Sequence, residues 1–298
     1  MTLLQMKYFQ AVCTYDSVSL AAQKLHVSQP TISAAIRALE DEFRIRLFDK
    51  AGKKLQLTQA GVVFLSLCSG ILTDTNEALE TMQKMSGENR QVRLGADPTL
   101  AAIILPSLYQ AFTRENPQSF LYVEENEPQL LMEKLEQKEL ELILIRDIRP
   151  PQDNCRRLHL GNWEYALCVS FKHPLAARDR VSLSELEGLP LIAFPLEVPP
   201  YSLPNELYAS AGLQPNVVYR SSQLSTIRRM IISNSMGHFT YRMLAESWKN
   251  IHTCSLEPPC FQSVSLYWRR DAYLSSDAQS LIRCLKQLRE DHSFHIHL

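Results

Sequence analysis

The chain has 298 residues, 45% of them hydrophobic and 21% charged, with a formal net charge of −1. That length accommodates two or three domains, and the composition is that of a globular protein, not a disordered or fibrous one. Seven cysteines scattered at positions 13, 68, 155, 168, 254, 260 and 284, without a CxxC pair, argue against a disulfide scaffold or a structural zinc site.

Charge is unevenly distributed. Residues 1–60 carry 8 Lys+Arg against 5 Asp+Glu, net +3, and the remainder carries 23 against 27, net −4. A basic N-terminal module on an acidic body suits a nucleic-acid reader joined to something else. Met1 to Ala11 holds Lys7 and two glutamines in a helical pattern, unlike a signal peptide. No apolar run approaches the roughly 20 residues that span a bilayer. A cytoplasmic protein with no membrane partner is expected.

In chain order, Leu3 to Tyr15 predicts a first helix, with Leu4, Tyr8, Ala11 and Val12 on its packing face and Cys13 as a small core residue. Val18 to Leu39 predicts two short helices joined at His26–Val27. Ser19 is placed to cap the first and Ser28 the second, with Pro30 in the first turn, where a missing N–H costs nothing. Ile32, Ile36 and Leu39 form an apolar stripe at i, i+4, i+7, while Pro30, Ser33, Ala34 and Arg37 project from the other side. That outward face is slim and polar enough to approach base edges in a major groove. Arg46–Phe48 and Leu55–Leu57 read as strands around the basic turn Lys50, Ala51, Gly52, Lys53 and Lys54, a hairpin wing that brings cations to phosphates.

Here the chain resembles the LysR-type transcriptional regulators. The resemblance rests on Ala21-Ala22, Leu25, Val27-Ser28-Gln29-Pro30, Ser33, Ile36, Leu39-Glu40, Leu47-Phe48, Leu57-Thr58 and Ala60-Gly61. It departs at Ala34, where the family usually has Arg, at Val18, where an aromatic residue is usual, at Asn234-Ser235-Met236-Gly237, and at Tyr241, near a common Pro. The resemblance implies an N-terminal all-α winged helix-turn-helix, a long linker helix, and a two-lobed α/β effector domain like the periplasmic solute-binding proteins. It further implies operator DNA and RNA polymerase as partners, with a homodimer or homotetramer as the working form.

Thr58 is placed to cap a long helix reaching about Met85, with Ile71, Leu72, Ala78, Leu79, Met82 and Met85 as a dimer seam interrupted at Asp74 and Thr75. Ser86-Gly87-Glu88-Asn89 is the candidate hinge. From Gln91 the pattern alternates: strand QVRLGA, a helix through Leu105, Leu108 and Phe112, strand FLYVEE, helix LLMEKLEQ, strand LELILIR. This βαβαβ order predicts a parallel sheet. Strands YALCVS, PLIAF and VVYRSS follow, then a helix over Leu224–Ile232, a strand near His238–Tyr241, a strand over Ser263–Arg269 and a closing helix over Ser275–Arg289. With crossings near Gly161 and Gln262, the expected division is 1–58 for the DNA module, 59–90 for linker and hinge, 91–161 with 263–298 for the first lobe, and 162–262 for the second.

The candidate DNA contacts are Ser28, Gln29, Pro30, Thr31, Ser33, Arg37, Lys50, Lys53 and Lys54. The candidate effector contacts are Thr99, Leu100, Asn126, Arg146, Phe194 and Ser222. Arg146 ends an apolar strand, where open α/β sheets bind ligands, and can grip a carboxylate; its competing reading is an ion pair with Asp147. Thr99 opens a helix whose first N–H groups favour anions, and the resemblance pairs it with Ser222 in the facing lobe. A small effector bearing a carboxylate is therefore expected, with a donor group besides if Asp97 shares the site.

His252, Cys254 and Cys260 are too irregularly spaced to suggest a metal site, and His292, His295 and His297 belong to a terminal tail. No nucleophile–base pair, phosphate loop or dinucleotide fingerprint asks for catalysis, and no cofactor is called for. Two alternatives carry different signatures: a two-lobed solute-binding protein, and a thiol-redox regulator, which would need an exposed low-pKa cysteine beside a partner. Cys254 and Cys260 are the closest pair for the latter.

Overall fold

The computed structural model describes residues 1–51, 54–86, 90–147, 153–195 and 203–291. The chain divides into two compact units, Met1–Asn89 and Arg90–Leu298.

The first unit contains α1 (Leu3–Tyr15), α2 (Val18–Lys24), α3 (Gln29–Phe43), the hairpin β1 (Phe48–Ala51) and β2 (Lys54–Leu57), and α4 (Gln59–Ser86). Its core forms where α1 turns Met6, Phe9 and Val12 inward and α3 adds Ile32, Ile36 and Leu39, all at most 7% exposed. Each such side chain contributes on the order of 1.5–3 kcal/mol on burial. Phe9 anchors the cluster, with ring centroids 5.2 Å from Phe48 and 5.0 Å from Phe64. Leu4 lies outside this face and is exposed, and Ala11 and Cys13 only edge the core.

Several local expectations shift. Ser17, not Ser19, caps α2: Ser17 is extended and its Oγ accepts from the Leu20 amide at 3.2 Å. Ser19 then sits in the first turn and reaches across to Gln29, Oγ to Oε1 3.1 Å, tying α2 to α3. Ser28 caps α3 as expected, accepting from the Thr31 amide. The first strand of the wing starts at Phe48 instead of Arg46. Glu40 Oε1 already accepts from the Leu47 amide at 2.8 Å, and Thr58 takes the Leu47 carbonyl, so pairing begins only beyond them. Thr58 caps α4, accepting from the Gly61 amide at 2.9 Å. Leu72 is buried in the core of this unit and cannot belong to an intersubunit seam, whereas Leu67, Ile71, Leu79, Met82 and Met85 are exposed. The candidate hinge residues 87–89 lie outside the described residues.

The second unit opens with β3 (Gln91–Ala96), α5 (Pro98–Glu115), β4 (Phe120–Glu125), α6 (Pro128–Glu136) and β5 (Leu142–Arg146). β4, β3 and β5 pair in parallel, as the alternation predicts. β6 (Cys155–Ser170) follows, then β7 (Arg180–Ser182), β8 (Leu191–Ala193), α7 (Leu203–Ser210), β9 (Val217–Arg220), α8 (Leu224–Ser233), β10 (Gly237–Tyr241), α9 (Arg242–Glu246), β11 (Ile251–Glu257), β12 (Cys260–Arg269) and α10 (Ser276–Glu290). The main strand order is β4-β3-β5-β12-β6-β10-β8-β9.

Two long antiparallel strands, β6 and β12, run through both lobes and join them. The sequence marks only the second half of β6, because Gly161-Asn162 interrupts its apolar pattern. Gly161 takes φ +151°, a conformation open chiefly to glycine, and pairs with Val264 beside a register shift. β7, β11, α7 and α9 carry too little periodicity to be read from the sequence. No described helix is long and apolar enough to cross a membrane.

Candidate functional site

On the first unit, Ser28, Gln29, Pro30, Thr31 and Arg37 are exposed along the start and outer side of α3, and Ser33 is partly so. The buried stripe of Ile32, Ile36 and Leu39 fixes the rotation of the helix, so this polar face is held outward. Ser28 Oγ also meets Thr31 Oγ1 at 2.7 Å, which orders the N-terminal turn. Lys50 and Lys54 lie on the paired wing strands; their side chains, and all of Lys53, lie outside the described residues.

On the second unit, a cavity of about 190 Å³ opens between the lobes. Thr99, Asn126 and Arg146 line it from the first lobe, and Phe194 and Ser222 from the second. Leu100 does not: its side chain is fully buried in the core, and only its amide matters here. The expected anion site at the start of α5 is already taken. Asp97 caps the helix and accepts from the Thr99 and Leu100 amides at 2.8 and 3.2 Å. Burial raises the Asp97 carboxyl, opposed by these amides and by the Arg146 charge.

Arg146 faces the cavity with Nη2 3.6 Å from Glu206 Oε1 on α7, in the opposite lobe. Asp147 is no partner of Arg146: it receives Arg157 at 2.7 Å, Ser263 at 2.7 Å and Tyr267 at 2.8 Å. Asn126 donates its amide nitrogen to Glu124 at 3.1 Å. Glu125, Tyr165, His238 and Tyr241 also line the cavity, and nothing in the sequence marks them. Each lies at a strand end or within a strand with no motif around it, and only the folded sheet brings them together. Tyr165 stacks on Phe239 at 6.3 Å and donates to its carbonyl at 2.9 Å.

The cysteines fit a reactive role poorly. Burial raises every one of the seven thiols: Cys13 to about 12, Cys254 to about 11, and Cys68, Cys155, Cys168, Cys260 and Cys284 in the same direction. His252 Nε2 bonds the Arg178 carbonyl at 2.8 Å, and Cys254 Sγ donates to the same oxygen at 3.3 Å.

Comparison with known proteins places both units. Residues 3–62 match the model of the bacterial regulatory helix-turn-helix protein, lysR family, and residues 86–290 match the LysR substrate binding domain. The chain is 25% identical over 287 residues to the uncharacterized HTH-type transcriptional regulator YybE of Bacillus subtilis, covering 93% of this chain and 95% of that one. It is also 25% identical to the hydrogen peroxide-inducible genes activator of Dickeya chrysanthemi, covering 98% and 97%. The solved structure of full-length CbnR in complex with its target DNA superposes with a TM-score of 0.68 at 19% identity, covering 96% of this chain and 99% of that one.

Proposed function

The chain belongs to the LysR family of bacterial helix-turn-helix transcriptional regulators, and on that premise we propose that it reads operator DNA with α3 and answers to a small effector held between its two lobes. The observation that carries the DNA reading is the exposed polar side of α3, rotated outward by a fully packed apolar stripe. Gln29, Ser33 and Arg37 face base edges, Ser28, Pro30 and Thr31 flank them at the helix start, and Lys50, Lys53 and Lys54 on the wing serve the phosphates. RNA polymerase is the further partner that membership of the family implies.

Arg37→Ala tests the interface. If Arg37 reads a base, discrimination falls by roughly 1–3 kcal/mol; if it meets a phosphate, affinity falls evenly across sequences and the salt dependence flattens. A gel-shift titration with unchanged affinity, specificity and salt slope removes Arg37 from the interface.

The working form is a dimer or a dimer of dimers joined along α4. Leu67, Ile71, Met82 and Met85 leave an apolar stripe uncovered on this helix, with Leu79 at its edge. Met82→Glu buries an unpaired charge in that seam and should yield monomers by light scattering. A variant that keeps the parent's mass places the main contact elsewhere.

The effector is a small molecule with a carboxylate directed at Arg146, while Thr99, Asn126, Phe194 and Ser222 complete the walls. It acts by preferring one arrangement of the body, since equal affinity for two arrangements shifts nothing. The domains divide at 1–58, 59–90, 91–161 with 263–298, and 162–262. A redox switch is the weaker reading: a relative is named for hydrogen peroxide induction, but the Cys254 and Cys260 thiols are raised by burial, against the low pKa a sensor needs.

A further inference from the structure

The proposed effector cleft is richer in acceptors than a carboxylate ligand alone would require. Asp97, just past the end of β3, and Glu125, which ends the neighbouring β4 opposite Ala96, both line the cavity, and burial together with the Asp97 charge raises the Glu125 carboxyl. Glu206 from the opposite lobe already stands beside Arg146, the one cation among the described residues that line the cavity. Among the described residues, the carboxylates therefore outnumber the guanidinium.

The imidazole of His238 adds a second, independent sign. His238 lines the cavity, is 2% exposed and packs against Phe194 with centroids 5.6 Å apart. Its Nδ1 lies 2.9 Å from the Ile192 carbonyl. A carbonyl only accepts, so Nδ1 carries the proton and Nε2 presents a bare lone pair. That Nε2 is buried and has no hydrogen-bond partner among the described residues. Burial holds the ring neutral, its pKa lowered to about 4. An orphaned acceptor in a protein interior is costly unless something donates to it. Asn126 lines the same cavity, and its side-chain oxygen is by its chemistry another acceptor.

We propose that the ligand of this cleft carries an ammonium group as well as a carboxylate, with the ammonium held among Asp97, Glu125 and His238 and the carboxylate at Arg146. An ammonium offers three donors and a positive charge. It would satisfy the lone pair of His238 and relieve the repulsion between Asp97 and Glu125 together. The chemical class is an amino acid or a close zwitterionic relative. This rests on the effector reading above and narrows its ligand.

The test uses the full-length protein and matched trios of probes: L-leucine, 2-hydroxyisocaproate and isoamylamine, with the same three forms of the other common amino-acid side chains. Thermal shift selects the binders, and calorimetry ranks them. At least one amino acid is expected to raise the melting temperature and bind ten times or more tightly than both its hydroxy acid and its amine. Glu125→Gln, at an exposed position, should erase most of the preference for the amino acid over the hydroxy acid; Asp97→Asn, which keeps a capping oxygen, should do the same. Equal binding of amino acid and hydroxy acid overturns the ammonium proposal and leaves an effector cleft for simple acids. Binding of the amine alone, or of no member of any trio, also overturns it. Operator binding by gel shift on the same preparation reads the regulator assignment separately.

Discussion

Gly61→Ala is expected to unfold the DNA module, while Gly70→Ala, nine residues along the same helix, is expected to stabilise it. A Cβ on Gly61 would lie 2.2 Å from the Leu47 carbonyl oxygen and 2.8 Å from Leu57 Cδ2. The oxygen cannot yield, because Thr58 holds it through its amide at 3.0 Å and its hydroxyl at 3.3 Å. The start of α4 is thus clamped onto the chain just before the wing, and an added methyl must push the two apart. The expected loss is about 3 kcal/mol or more. Gly70 has nothing within 4 Å of its would-be Cβ, is exposed, and lies within α4. Alanine there restricts the unfolded chain and favours the helix by about 0.5–1 kcal/mol. Denaturant unfolding of the two full-length variants, read together with gel shift, checks the pair. A Gly61→Ala protein with the parent's midpoint and DNA affinity would show that α4 can slide off the Leu47 carbonyl at little cost.

Arg146→Ala should weaken a carboxylate-bearing effector by about 2–5 kcal/mol, mainly through faster release. Arg146 ends β5 at the mouth of the cavity, its side chain 15% exposed, and offers a planar fork suited to a carboxylate. Glu206, half-exposed, can rehydrate once its partner is gone. Asp97 cannot do so as easily, and losing the Arg146 charge should push its carboxyl up further. Calorimetry with an acid found by thermal shift measures the change, with Arg157→Ala as a control, since Arg157 is paired with Asp147 instead. Equal affinity in parent and Arg146→Ala would remove Arg146 from the site.

The sequence by itself determined the elements whose chemistry is local. Ser28 as cap, the i, i+4, i+7 stripe of α3, the Thr58 start of α4 and the βαβαβ alternation from Gln91 each follow from bonds or periodicities within a few residues. Arg146 was legible for the same reason, as the first charge after an unbroken apolar strand. What depends on distant residues was decided only by the tertiary structure. The first N–H groups of α5 were available for an anion on paper, but the backbone folds the adjacent Asp97 onto them. Arg146 meets Glu206 from 60 positions away, not its neighbour Asp147, because the lobes face each other across the cavity while Asp147 alternates to the other side of the strand. Leu72 repeats at seven with Leu79 and reads as seam, yet the core of the N-terminal unit covers one and not the other. His238 carries no motif at all. The role proposed for it follows from a carbonyl 46 residues away that takes one ring nitrogen and leaves the other, buried beside the cavity, without a donor among the described residues.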